Sequence, residues 1–159
     1  MSEFSHIDSS NQPSMVDISG KSPTRRTAVA QAIVQLDEAI MGKLSDGDIQ
    51  SKKGPVFQTA ILAGVMAAKK TSDLIPLCHP LPLNNCKIDI EPGDNQQVII
   101  RCSVSTDHKT GVEMEALTGV SVAALTLYDM CKALSHDIRI LDTHLLSKTG
   151  GKKDYKVES

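Results

Sequence analysis

The sequence predicts an α+β fold, an antiparallel sheet with helices packed on one face. Three observations carry that expectation. Cys86, Ile88 and Ile90 alternate with Lys87, Asp89 and Glu91, and after Pro92-Gly93-Asp94-Asn95 a second run alternates through Val98, Ile100, Cys102 and Val104. Two period-two runs around a Pro-Gly turn make a β-hairpin with one buried side. Between Glu115 and Asp129 there are 13 consecutive residues without charge, Ala116 to Tyr128. A membrane span needs about 20 such residues, so this run reads as a helix buried in a water-bounded core. Finally, a chain of 159 residues with 40% apolar content has the material for one core and not two.

Taken from the N-terminus, residues 1–13 belong to a polar stretch rich in Ser, Asn, Gln and Pro and are expected to be flexible, with a single domain over 14–159. Met15 to Ser19 leans apolar and reads as an edge strand. Ser22 can cap a helix whose first position is Pro23. From Thr24 to Met41, Val29, Ile33, Leu36 and Ile40 recur every three or four residues while Arg25, Gln35, Asp37 and Glu38 take other directions, which predicts an amphipathic helix ended by Gly42. Ser45 to Lys53 is polar and loop-like. Gly54-Pro55 then opens a second helix through Lys70, made slim by Ala60, Ala63, Gly64, Ala67 and Ala68, so that its backbone can approach a neighbouring element or subunit closely. Leu74 to Leu83 holds three prolines in ten residues and must run extended. After the hairpin comes the long helix, Gly111 to Leu134, and then a last strand, Ile138 to Leu146, before a tail of glycine and lysine. The order strand, helix, helix, strand, strand, helix, strand is similar to that of a ferredoxin-like antiparallel sheet.

Composition narrows the function. A formal charge of −2 denies the chain the overall positive field of nucleic-acid binders, and four aromatic residues, Phe4, Phe57, Tyr128 and Tyr155, offer few stacking platforms for single strands. Cys78, Cys86, Cys102 and Cys131 contain no C-x-x-C pair, which reads as reduced thiols and a cytoplasmic protein without a structural metal. No apolar export segment opens the chain.

Chemistry concentrates at a few places. Asp129 and Lys132 lie three apart on the long helix and so on one face, where a carboxylate and an amine can exchange a proton. Asp129 stands near a helix C-terminus, where negative charge is disfavoured, so Lys132 and a second lysine are expected to balance it. His79 precedes Pro80, which forces an extended conformation and orients the ring; the bland alternative is a histidine in a structural loop. A zinc site or a thiol nucleophile built on Cys78 and His79 finds no ligand spacing, and adjacent residues on an extended chain point apart. Lys52-Lys53-Gly54-Pro55 at a helix start, Arg26, and Lys148-Thr149-Gly150-Gly151-Lys152-Lys153 are basic clusters that suit a compact polyanion such as a nucleoside triphosphate, although the tail is not a Walker A loop. Glu113 and Glu115 face different ways on a helix, and both can serve one cleft if the approach is extended.

Three segments, LCHPLPL, GVEMEALTGVSVAALTLYDMCKA and LLSKTGGK, resemble the MoaC family of molybdenum cofactor biosynthesis, the cyclic pyranopterin monophosphate synthases, and the likeness runs from about His6 to Val157. The resemblance implies a lyase that converts a cyclised dihydroguanosine triphosphate to cyclic pyranopterin monophosphate with release of pyrophosphate. It implies no cofactor, and a homohexamer, a trimer of dimers, with active sites at a subunit interface. Residue by residue, it assigns Asp129, Lys132 and Lys53 as catalytic. It assigns Leu77, Cys78 and His79, then Glu113, Met114 and Glu115, and the basic Arg26 and Lys148, to substrate. Two departures stand out: Pro55 takes the place of an acid after Lys53-Gly54, and Lys153 that of a small residue. A nucleotide-holding module without turnover is the competing reading, and it leaves Asp129 and Lys132 without a role.

Overall fold

In a computed structural model, residues 4–158 are described. The expected flexibility of the first residues falls partly on residues 1–3, outside that range; from Phe4 to Pro23 there is one isolated bridge, Ile7 with Pro13. The expected edge strand at Met15–Ser19 does not form. Asp17 accepts hydrogen bonds from the Ser19 N–H (2.9 Å) and hydroxyl (2.7 Å), which turns the chain locally and leaves no ladder to join.

The first long element is a strand, β1 (Thr24–Gln35), where the sequence predicted a helix. The four-residue spacing of Val29 and Ile33 mimics a helix, but Ala28, Ala30, Ala32 and Val34 form a buried period-two face, and Thr24, Thr27, Val29, Ile33 and Val34 supply the β-branched residues that favour strands. Alanine is apolar in either periodicity, so its alternation was easy to overlook. Only the end of the expected helix is helical: α1 (Glu38–Met41) is a single turn capped by Asp37 and closed at Gly42.

Ser45 to Lys53, expected as loop, contains tight pairings: β2 (Leu44–Ser45), β3 (Asp48–Ser51) and β4 (Gly54–Pro55) form a small three-stranded sheet. Helix α2 (Val56–Ala68) follows, then one turn, α3 (Thr71–Leu74), and the proline-rich Ile75–Leu83, which has neither helix nor strand. The hairpin is β5 (Asn85–Pro92) and β6 (Gln97–His108), the long helix is α4 (Glu113–Cys131), and β7 (Arg139–Thr149) and β8 (Tyr155–Lys156) end the chain.

The main sheet runs β5-β6-β1-β7-β8 with every neighbouring pair antiparallel. Its four long strands and the helices α2 and α4 reproduce a ferredoxin-like α+β arrangement. Val98, Ile100, Cys102 and Val104 of β6 join the alanine face of β1 beneath the helices, with Phe57 of α2 and Val120 and Leu127 of α4 closing the core. The helices meet at glycines. A Cβ at Gly64 would stand 2.7 Å from the Gly119 carbonyl oxygen, and one at Gly119 would stand 2.8 Å from the Cys102 Sγ. The slim faces therefore let the backbones of α2 and α4 approach each other closely and let side chains of the sheet, Cys102 among them, pack against the glycines. That stacking fixes where each end of α4 emerges, which places the site.

Candidate active site at the two ends of one helix

Buried Leu127, Met130 and Cys131 face the core from the last turns of α4, and the helical repeat turns Asp129 outward between them. Its carboxylate is held from two sides. Lys132 Nζ lies 2.8 Å from Oδ1, and Lys53 Nζ lies 3.0 Å from Oδ2. The lysine expected to balance Asp129 beside Lys132 is thus Lys53, 76 residues away in sequence. The hydrogen bonds and charge of Lys132, then those of Lys53, hold the Asp129 carboxyl below its ordinary range, and Asp129 in turn raises Lys132. All three side chains are about half exposed, so the pairs contribute little to stability. Two ammonium groups around one carboxylate leave a local excess of positive charge and three groups able to pass protons.

Lys53 reaches this place although Pro55 breaks the familiar pattern after it. Pro55 occupies the N-cap of α2 without a side-chain cap. Asp48, 7% exposed, supplies the missing acceptor: it takes hydrogen bonds from the N–H groups of Ile49 (2.6 Å), Phe57 (2.7 Å) and Gln58 (3.1 Å). Sequence reasoning missed Asp48 because nothing local separates it from its polar neighbours.

The other end of α4 gathers the remaining candidates. Leu77, Cys78, His79, Glu113, Met114 and Glu115 line a cavity of about 290 Å³. His79 Nε2 is 2.7 Å from the Val16 carbonyl oxygen, and since a carbonyl only accepts, Nε2 carries the hydrogen and Nδ1 is the basic atom of the neutral ring. Burial raises the Cys78 thiol, with a further push from Glu115. Glu115 is 4% exposed, and its burial, opposed by its own backbone N–H and helped by Glu113, lifts its carboxyl from the ordinary 4.5 to about 7. Glu113 turns toward Lys148, whose Nζ is 2.7 Å from Oε1. Both acids therefore serve one cavity from the first helical turn, which the spacing had allowed only for an extended approach.

A second cavity, about 530 Å³, shares Thr110, Gly111 and Glu113 with the first, and Lys21, Arg26, Lys148, Lys152 and Lys153 line its walls. Five cations against one carboxylate make this the most electropositive recess described. Arg26 donates from Nη2 to the Lys109 carbonyl (3.3 Å), while its buried Nε has no partner. Gly150, at φ +89°, and Gly151 bring the basic tail over β1: a Cβ at Gly151 would stand 3.0 Å from the Arg26 guanidinium. Lys21, which sequence reasoning passed over as part of a turn, joins the same recess.

The structure thus unites Asp129, Lys132 and Lys53 at one end, and Arg26, Lys148, Cys78, His79, Glu113, Met114 and Glu115 around the other. It does not bring His79 to Asp129 within a chain, since Glu115 and Asp129 are fourteen residues apart on one helix, roughly 21 Å at about 1.5 Å per residue. Among the described residues, no three His, Cys, Asp or Glu side chains converge as a metal would require, the four cysteines are free, and no helix is long and apolar enough to cross a membrane.

The chain is similar to named proteins over most of its length. The chain is 57% identical over 155 residues to the molybdenum cofactor biosynthesis bifunctional protein of Synechocystis, covering 95% of this chain and 45% of that longer protein. It is 51% identical over 151 residues to the cyclic pyranopterin monophosphate synthase of Xanthomonas oryzae, covering 95% of this chain and 92% of the relative. The enzyme of the same name from Syntrophomonas wolfei is 49% identical over 155 residues, covering 97% and 98%. Residues 15–151 match the MoaC family, and the chain belongs to it.

Proposed function

We propose that this chain is a cytoplasmic cyclic pyranopterin monophosphate synthase, a lyase that rearranges a cyclised dihydroguanosine triphosphate to cyclic pyranopterin monophosphate and pyrophosphate. The observation that carries the reading is the Asp129 carboxylate bracketed by Lys132 at 2.8 Å and Lys53 at 3.0 Å. Opening and reclosing the guanine ring requires protons to be delivered and removed at several nitrogens, and a carboxylate shared by two amines can hold or hand over each one. The binding-only alternative gives this trio nothing to do.

The basic recess serves the phosphate half. Attack of a sugar hydroxyl on the nearest phosphorus expels pyrophosphate and builds negative charge, which Arg26 and Lys148 are suited to stabilise. Glu115 and His79 face the neighbouring cavity, where an acid poised near pH 7 and an oriented imidazole can bind the donor and acceptor edge of a purine.

Because the trio and the recess sit at opposite ends of α4, the complete site is formed between copies: the Asp129 end of one chain against the Arg26 and His79 end of another. Exposed Leu62 and Met66 on α2 and Leu125 on α4 give the helix layer apolar surface to bury in such an assembly, here a homohexamer arranged as a trimer of dimers. Incubation with the cyclised triphosphate, following pyrophosphate and pterin together, tests the reaction; binding without either product refutes it. Mixing an Asp129→Asn protein with an Arg26→Ala protein tests the shared site. Mixed oligomers regain turnover if each chain lends one end, and stay inactive if each site lies within one chain.

A further inference from the structure

We propose that Asp48 is the positioning residue of this site: by tying the β3–β4 hairpin to the first turn of α2, it sets Lys53 at bonding distance from Asp129. The proposal rests on the reading of Lys53, Asp129 and Lys132 as the proton-transfer trio.

Lys53 lies in the turn between two very short strands, with Ser51 opposite Gly54 and Gln50 opposite Pro55. Within the turn, geometry is closed locally. The Ser51 hydroxyl oxygen accepts from the Lys53 N–H (3.1 Å), and the hydroxyl donates to the Gly54 carbonyl (2.9 Å). What remains to be decided is how the whole hairpin sits relative to α4. Two residues at its base do this. Ile49 is fully buried in the core, and the Asp48 carboxylate accepts locally from the Ile49 N–H at Oδ1 and reaches past the hairpin to α2, Oδ1 to the N–H of Phe57 and Oδ2 to that of Gln58.

An ordinary helix cap would sit at position 55 and hold only α2. Here position 55 is proline, and the cap comes from the far arm of the hairpin, so capping and hairpin placement are one interaction. A carboxylate is needed because both oxygens accept; an amide would present its NH₂ to one N–H donor and push it away. Misplacing a proton-transfer group by about 1 Å can lower turnover by up to ~10²-fold.

The test compares Asp48→Asn with Asp48→Asn/Pro55→Asp in the full-length protein. The second change puts a cap on α2 from its own N-cap position and leaves β3 untied. Asp48→Asn is expected to lower kcat about tenfold with KM within about twofold, and to lower Tm; the double variant regains Tm but not kcat. A direct readout is the carboxyl titration of Asp129 by NMR, with Lys53→Ala as reference. In Asp48→Asn the Asp129 midpoint rises toward that of Lys53→Ala, and it stays raised in the double variant. An Asp129 midpoint unchanged by Asp48→Asn overturns the proposal, and so does recovery of kcat together with Tm. If the Asp129 midpoint moves while turnover by both Asp48→Asn and Lys53→Ala is normal, the positional role of Asp48 stands and the catalytic reading of the trio fails.

Discussion

Replacing Glu115 by Gln should remove a pH-dependent weakness from the fold. Glu115 sits in the first turn of α4 and is 4% exposed, and burial, more than the neighbouring charge of Glu113, raises its carboxyl to about 7 against an ordinary 4.5. In the unfolded chain the carboxyl loses its proton near 4.5, while in the native state it keeps that proton until about 7. Between those values the folded protein binds more protons, so stability falls as pH rises through the window and levels off above it. At ~1.4 kcal/mol per pH unit, the difference between the two values amounts to about 3 kcal/mol. For a domain of this size that is roughly 6–12 °C in Tm. Glutamine has the shape of the protonated acid and never ionises. Urea unfolding of both proteins, without substrate and at one protein concentration, should give matching stabilities at pH 4.5 and a Gln advantage that grows to about 3 kcal/mol by pH 9. A stability difference that stays constant across the series, or a wild type that gains on the variant as pH rises, would refute the burial argument.

Asp129→Asn should fold normally, because the carboxylate is half exposed, yet lower turnover by about 10²–10⁴-fold; a circular-dichroism melt with a pterin assay checks both, and an active Asn variant ends its catalytic role. Gly64→Ala forces a Cβ to within 2.7 Å of the Gly119 carbonyl oxygen and should cost about 1–3 kcal/mol or more in thermal unfolding, whereas an unchanged melt would mean that α2 and α4 can part. Cys78→Ser should retain substantial activity, since burial keeps the thiol protonated and poorly nucleophilic; loss of turnover with normal substrate binding would instead point to a thiol mechanism.

How much of this was legible beforehand depends on the element. In the hairpin, β5 alternates cleanly between charged and apolar side chains and β6 keeps an apolar residue at every second position, because one sheet face meets the helices, and α4 announces itself by a charge-free run longer than a buried strand. Strand β1 misled for a definite reason. Its core face is Ala28, Ala30, Ala32 and Val34, its other face carries Val29 and Ile33, and apolar residues on both sides erase the period of two while Val29, Ile33, Leu36 and Ile40 happen to fit a helix. At the site, the Asp129–Lys132 pair follows from a spacing of three. The basic clusters follow from residue type, while the specific roles of Lys53, Arg26 and Lys148 are assigned by family resemblance, and no local pattern links Lys53 to Asp129 across 76 positions. The Asp48 cap was illegible because two of its donors, Phe57 and Gln58, lie on α2 and reach the carboxylate only once that helix has docked against β3.

From the residues alone come the α+β class, the buried helix with reactive groups at its ends, the polyanion-seeking basic clusters and the kinship with the MoaC family. Those depend on local periodicity, composition and motif, which a linear chain carries intact. Folding alone decided that the first long segment is a central strand, that Lys53 rather than another lysine completes the Asp129 pair, that Glu115 holds its proton near neutrality, and that the Asp129 trio and the basic recess stand at opposite ends of α4. Each of these depends on which surfaces are removed from water and which charges become neighbours, and both are settled only when distant segments pack together.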